Sequence, residues 1–274
     1  MRVHVAFTPD EAAGAPTGVV IDVIRATSTI CQALDAGYER VWCAAEVDDA
    51  RALRGPGVTL GGERLGVRID GFDLGNSPRE YLEPRTPTLA ISTTNGTRAI
   101  VTAAARCERV LIASLLNLAA VTEAAAAHGE DVAVFCAGVK GAFALDDAYV
   151  AGRIVDGLGP GQGQGTRGVQ GVQGVALASP SFVPPRGARL KPRPGKPRPT
   201  RRSDAAEAAV RLARSYATAE EAFRASRSGR DLIEHGPELE ADIPWCARES
   251  VLDVVPRLVG LQGAAAELDI VSRP

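Results

Sequence analysis

The chain reads as an α/β protein with a largely parallel sheet covered by helices on both faces. Three observations predict this. Short aliphatic runs alternate with helical patterns along most of the 274 residues. Apolar residues make up 45% of the chain but aromatics only 4%, so the core must be built from Ala, Val, Leu and Ile. Several of the runs end in polar, hydroxyl-rich turns leading into a helix, the edge at which such sheets bind ligands.

Taken in order, Val3–Phe7 is a first strand. Val19–Val23 is a second and carries Asp22 to its end. Arg25, Thr27 and Ser28 follow, within a helical pattern over Ile24–Ala36 that Gly37 suits as terminator. Arg40–Ala44 is a third strand, and Glu46–Arg54 a helix with acids early, where the helix dipole favours them. Thr59-Leu60 runs into Gly61-Gly62-Glu63-Arg64. Leu65–Tyr81, with Asp73 and Asn76, is a long polar loop. Its Ile69, Phe72 and Leu74 make order the expectation. Leu89–Ile91 is a buried strand, Ser92–Thr97 a turn, and Arg98–Arg106 a helix. Arg109–Ala113 is a strand, followed by Ser114, Asn117 and a helix through Ala127. Val132–Cys136 leads into Ala137–Gly141 and a helix with Asp146-Asp147 that runs to Leu158.

The composition then changes. Gly159–Ser203 holds nine glycines, eight prolines and nine Lys/Arg, with no Asp or Glu. It is expected to be a disordered insert between body segments 1–158 and 204–274. A basic arm for RNA, DNA or an acidic partner is the alternative. Without this segment the body carries −11, which argues against general nucleic-acid binding. Ser203-Asp204 then caps a helix to Ser226, with Leu212, Tyr216, Ala219 and Phe223 on one face. Leu232-Ile233, Asp242–Ala247 and a strand near Val254-Val255 complete the body.

The turn Thr93-Thr94-Asn95-Gly96-Thr97 lies between a strand's carboxyl end and a helix's amino end. Free backbone N–H groups and the helix dipole can hold an anion there, or the turn is simply a capped helix. Gly96 can take a positive φ and admit a ligand to the backbone. Thr94, Asn95 or Thr97 is the expected N-cap. Three other strand ends bring polar groups: Asp22/Arg25/Thr27/Ser28, Ser114/Asn117, and Cys136 through Lys140. Hydroxyls, N–H groups and arginine suit a phosphate or sulfonate. Asp22, Glu63, Asp73, Asp146 and Asp147 lie in or beside these segments. Oxygen donors with only three, widely spaced histidines point to Mg²⁺.

Absences narrow the chemistry. There is no G-x-x-x-x-G-K-[ST] and no G-x-S-x-G. Neither Cys31 nor Cys136 has the arginine six residues on that a phosphate-binding cysteine loop needs, and Asp22 lacks a second Asp two residues later. Cys136 reads as a small buried strand-end residue, a thiolate being the alternative. His4, His128 and His235 read as surface or loop residues. Five scattered cysteines suit a reducing cytoplasm. No leader-like start and no apolar run of about 18 residues accompany them, so no membrane association is expected.

Several segments in fixed order resemble the 2-phosphosulfolactate phosphatase family: IDVIRATSTI (21–30), LGGERLG (60–66), IDGFDLGNSPREY (69–81), STTNGTRA (92–99), IASLLN (112–117), CAG (136–138) and ALDDAYVAG (144–152). Ser226–Gly229, Leu232, Gly236, Asp242-Ile243, Cys246 and Pro256 resemble that family's ending. Gly159–Ser203 has no counterpart in the resemblance, and Ser250 stands where it implies an acid. The resemblance implies a three-layer α/β/α fold with a mixed sheet. It also implies a Mg²⁺-dependent phosphatase that converts (2R)-2-phospho-3-sulfolactate to 3-sulfolactate and phosphate, a step towards coenzyme M.

Joined to the residues, this gives a working assignment. Thr93–Thr97 cradles the phosphoryl group, with Mg²⁺ held by some of Asp22, Glu63, Asp73 and Asp147. Arg25 and Arg98 stabilise transition-state charge. Asn76 and Asn117 face the carboxylate or sulfonate, and Thr27, Ser28, Ser114 and Cys136 complete the substrate shell. A small phosphorylated acid is the expected partner, with a homo-oligomer allowed. Two alternatives remain: a phosphatase of another phosphorylated 2-hydroxy acid, and a non-catalytic binder of a phosphorylated metabolite.

Overall fold

In the computed structural model, which describes residues 1–11, 13–159, 200–263 and 265–271, the aliphatic runs become strands of one mixed sheet. The first half contains β1 (Arg2–Ala6), β2 (Thr17–Ile21), α1 (Ala26–Ala36), β3 (Arg40–Ala44), α2 (Val47–Ala52), β4 (Val58–Arg64) and β5 (Val67–Arg68). It continues with β6 (Thr88–Ser92), α3 (Gly96–Ala104), β7 (Arg109–Ala113), α4 (Leu118–Ala126), β8 (Val132–Cys136) and α5 (Leu145–Gly157). The second half adds β9 (Arg201–Arg202), α6 (Asp204–Arg214), α7 (Ala219–Ala225), α8 (Arg227–His235), α9 (Pro237–Glu240) and α10 (Asp242–Cys246). A hairpin, β10 (Pro256–Gln262) and β11 (Ala265–Ile270), ends it.

The strand order is β5-β4-β6-β3-β11-β10-β7-β2-β8-β1-β9. Two parallel blocks, β4-β6-β3 and β7-β2-β8-β1-β9, flank the hairpin. Because β11 is antiparallel to β3, and β10 to both β11 and β7, the blocks run in opposite senses. The expected single carboxyl edge is therefore two edges. Side chains of α1 and α3 pack with strands of both blocks in one core. One hydrophobic cluster takes Val20, Ile112 and Phe135 from the second block and Val41, Leu89 and Ile91 from the first. Ile30 and Leu34 of α1 and Ile100 and Ala103 of α3 belong to the same cluster.

Strand alternation supplies the other layers, since successive side chains point to opposite faces. Val19 and Ile21 face away from Val20, into a cluster with Val121 of α4, Ile154 of α5 and Val210 of α6. Leu60 and Ala90 pack with Ala50 of α2 on the outer face of the first block. The loop after β4 is ordered as expected, with Ile69 and Phe72 buried in this last cluster.

Three expectations shift. The single helix to Ser226 is two, α6 and α7, because Thr218 accepts from Glu221 N at 3.1 Å and starts a new helix. The last strand is not at Val254-Val255 but is the hairpin that follows. Most of the Gly/Pro/Arg-rich insert lies outside the described residues. Its end, Arg201–Arg202, is strand β9 on β1, so the body resumes before Ser203. Ser203 caps α6 as expected, accepting from Ala206 N at 3.2 Å, and Gly37 ends α1 at φ 112°. Among the described residues no helix is long and apolar enough to cross a membrane.

Candidate active site

The carboxyl ends of β2 and β6 meet where α1 and α3 begin. A Cβ on Gly96 would lie 2.6 Å from Ala26 Cβ and 2.8 Å from Asp22 Oδ2. Gly96 is the first residue of α3 and has no positive φ. The expectation of a left-handed glycine is thus corrected: the missing side chain lets two helix starts touch and leaves room for the Asp22 carboxylate.

Beside this junction lies a cavity of about 360 Å³. Of the residues expected at the site, Asp22, Arg25, Glu63, Asn76, Thr94 and Asn95 line it. Glu63 Oε1 accepts from Thr94 N at 2.9 Å and Thr94 Oγ1 at 3.0 Å, and its Oε2 from Gly66 N at 2.8 Å. The anion held by the Thr93–Thr97 turn in this structure is therefore the chain's own carboxylate. Asn95 occupies the N-cap position of α3, yet its side chain does not cap the helix. Its Oδ1 accepts from Lys140 N at 3.2 Å instead, tying the β6 and β8 ends together. Asn76 is buried and its Oδ1 has no protein partner. Arg25, joined to Ile24 by a cis peptide, is 4% exposed and donates from Nη1 to Asp242 Oδ2 at 2.7 Å.

The other expected residues have local duties away from the cavity. Thr27 Oγ1 donates to Asp22 O at 2.9 Å and Ser28 Oγ to Val23 O at 2.8 Å, closing the turn into α1. Asp73 Oδ2 accepts from Leu60 N at 2.8 Å, pinning the long loop to β4. Asp147 accepts from Val23 N at 2.9 Å and Gly138 N at 3.1 Å, so both of its oxygens serve backbone. Thr93 and Thr97 are buried with their hydroxyls 3.5 Å apart. Arg98 is exposed, 3.5 Å from Glu46, in a neighbouring hollow. Asn117 Oδ1 accepts from Ser114 N at 2.9 Å, while Nδ2 donates to Ile112 O at 3.2 Å and Val254 O at 3.0 Å. Ser114 Oγ accepts from Leu116 N at 3.2 Å. Burial, then Asp147 and Asp146, push the Cys136 thiol well above its usual value.

One wall was not expected. Arg227, Ser228, Asp231 and His235 of α8 line the cavity, beside Lys140, which the strand-end segment Cys136 through Lys140 was expected to bring to this edge. His235 is exposed at the rim, its Nδ1 2.6 Å from Asp231 O. The motif Ser226-x-x-Gly229 was visible, and Ser226 does cap α8, accepting from Gly229 N at 2.9 Å. Nothing in the spacing says that this helix faces a pocket built by residues far earlier in the chain.

Asp22 and Glu63 line the cavity, and Asp146 and Asp147, which do not line it, complete a buried acid cluster with Asp22. Burial, then repulsion from Asp146 and from Glu63, raises Asp22 to about 7. Burial chiefly raises Asp146 to about 6, against a hydrogen bond from Ser228, and one of its buried oxygens has no partner. Asp147 lies well above 3.8, from burial and then Asp146. Uncompensated buried carboxylates and orphan oxygens suit a hard cation. Among the described residues no three His, Cys, Asp or Glu side chains converge on one metal position. An ion here would thus take one or two carboxylates, with water and phosphoryl oxygens completing its shell, the usual habit of Mg²⁺.

Comparison with known proteins points to a phosphatase family. The sequence model of a family described as 2-phosphosulpholactate phosphatase matches residues 5–179, running past Leu158 into the Gly/Pro/Arg-rich segment. A "Probable 2-phosphosulfolactate phosphatase" of Thermus thermophilus is 35% identical over 269 residues, 97% of this chain and 98% of that protein. Proteins of the same description from Carboxydothermus hydrogenoformans and Deinococcus radiodurans are each 33% identical. They span 93% and 94% of this chain, and 92% and 94% of their own lengths.

Proposed function

This chain belongs to the 2-phosphosulfolactate phosphatase family, and we propose that its cavity hydrolyses (2R)-2-phospho-3-sulfolactate to (2R)-3-sulfolactate and phosphate. In the net reaction the ester P–O bond breaks, water supplies the hydroxyl that ends on phosphorus, and its other proton ends on the released alcohol. The observation that carries the reading is the pairing of a buried, mutually repelling acid cluster with a cationic wall of Arg25, Lys140 and Arg227 at one small cavity.

Arg25 presents its planar fork to the phosphoryl oxygens, where charge accumulates in the transition state. Lys140 and Arg227 face the substrate's other acid groups. Asn76, with its unpartnered oxygen, orients the bound ester. The Glu63 carboxylate holds Thr94, which keeps the β6 turn set against Asp22. Mg²⁺ fits this donor set. Asp22 would hold it, with Glu63 as the second carboxylate once it gives up a bond to Thr94 or Gly66, while Asp147 spends both oxygens on backbone and Asp73 one. Such an ion supplies neutralisation of the phosphoryl charge. The five free cysteines suit a reducing cytoplasm, and this reading gives the product a place on the way to coenzyme M.

The test is phosphate release from 2-phosphosulfolactate, phospholactate and phosphoglycolate, each with Mg²⁺ or with EDTA. The reading expects release from the first substrate to exceed the others and to stop in EDTA. Release from phospholactate alone transfers the activity to another 2-hydroxy acid. Binding without release from any of the three leaves a sensor in place of an enzyme.

A further inference from the structure

Arg25 has an anchor that the reaction itself does not require, and its geometry is specific. Asp242, in the first turn of α10, is fully buried. Its Oδ2 accepts from Arg25 Nη1 at 2.7 Å. Its Oδ1 accepts from Ser77 Oγ at 2.6 Å and from Arg79 Nε at 2.9 Å. The second nitrogen of Arg25 leans on Gly66 O at 3.3 Å. One carboxylate thus faces two guanidinium groups, so the cluster keeps a net positive charge beside the cavity. Asp242 does not line the cavity.

We propose that Asp242 is the positioning residue for Arg25, the group that keeps this guanidinium aimed at the phosphoryl oxygens. The inference rests on the reading that Arg25 contacts the phosphoryl group. The physical argument is competition. Asp22 and Glu63 share the cavity with Arg25, and a guanidinium without a fixed partner would fold onto them, cancelling its own charge and theirs. Asp242 engages the inner side of the guanidinium first and leaves the remaining N–H groups for an incoming anion. A buried ion pair adds little net stability, but it fixes geometry, and here both Asp242 oxygens are engaged. The carboxylate lies 217 positions from Arg25 in the chain, so the C-terminal helices hold the reactive arginine in place from behind.

The experiment measures phosphate release from 2-phosphosulfolactate by the full-length chain in Mg²⁺, as wild type, Arg25→Met, Asp242→Asn and the double variant. Arg25→Met is expected to lose about 100-fold or more in kcat/KM. Asp242→Asn is expected to lose about 10- to 100-fold in kcat with KM within about threefold. In the Arg25→Met background Asp242→Asn should change kcat by less than about threefold, because its target is gone. Equal losses from Asp242→Asn in both backgrounds would make the residue merely structural and overturn the proposal. Full activity of Asp242→Asn beside an inactive Arg25→Met would overturn it too. An active Arg25→Met instead removes the premise, a failure distinct from the other two. If Asp242→Asn does not fold, Asp242→Glu retains the charge and shifts the carboxylate by one methylene. A folded Asp242→Glu should show the same loss in kcat, and wild-type kcat in that variant overturns the role.

Discussion

Glu63 Oε1 accepts hydrogen bonds from both the backbone N–H and the hydroxyl of Thr94, at 2.9 and 3.0 Å. A carboxylate from β4 thus takes the backbone N–H and hydroxyl that the turn before α3 offers, and joins two strand ends. Glu63 consequently sits beside the cavity with its charge held in place rather than free to swing.

Thr94→Ala removes one of these two bonds and keeps the backbone one. It is expected to lower kcat/KM by about 3- to 10-fold, and Glu63→Ala by about 100-fold, since the alanine releases both donors and an acidic wall. Steady-state kinetics of the double variant checks the coupling: Thr94→Ala should add almost nothing once Glu63 is gone.

Asn117→Ala separates structure from catalysis. The side chain is buried and satisfies Ser114 N, Ile112 O and Val254 O, joining the β7–α4 turn to the segment entering β10. Losing it should cost about 2–4 kcal/mol in urea denaturation, because buried partners are left unpaired. Activity per folded molecule should stay near wild type. A substrate-binding asparagine would show the reverse.

These two residues also show how far the sequence could be read. Asn117 and Glu63 both stood out as polar groups at strand ends, and both are buried where strands meet helices. Their roles diverge because partners are chosen by tertiary contacts: Val254 reaches Asn117 across 137 positions. Residues with local partners were legible, such as Ser203 at the start of α6 and Gly37 at the end of α1. The reversal of the two sheet blocks was not, because it depends on a hairpin whose first strand, β10, is mostly exposed and so carries no buried apolar run. The α8 wall was hidden for a similar reason, since a helix's facing cannot be taken from its own spacing. Asp147 shows the remaining limit: a carboxylate in the first turn of a helix can be wholly engaged in holding backbone.

Gly96→Ala tests the close approach of α1 and α3. The added methyl meets Ala26 Cβ at 2.6 Å and Asp22 Oδ2 at 2.8 Å, so one of them must move. A loss of about 1–3 kcal/mol in stability is expected from overpacking, together with reduced kcat from a displaced Asp22. Thermal melts and phosphate release on the same preparation check both.

The acid cluster makes a pH prediction with a definite sign. Asp22 is raised to about 7 and Asp146 to about 6, both above 3.8. Between about pH 4 and 7 the folded chain therefore keeps protons that the unfolded chain has released, and the contribution of these acids to stability falls as pH rises. Without metal, Asp22→Asn should flatten that fall in Tm relative to wild type. Added Mg²⁺ should raise the wild-type Tm more at pH 8 than at pH 5, because the cation meets ionised acids only at the higher pH.

The most direct measurement is phosphate release from 2-phosphosulfolactate by wild type and by Asp22→Asn, both in Mg²⁺ and both shown folded by their melts. The expected result is turnover by the wild type and a loss of about 100-fold or more in kcat for Asp22→Asn, whose carboxylate no longer contributes to the acid cluster. Equal turnover by the two proteins would contradict the assignment of the chemistry to this cavity.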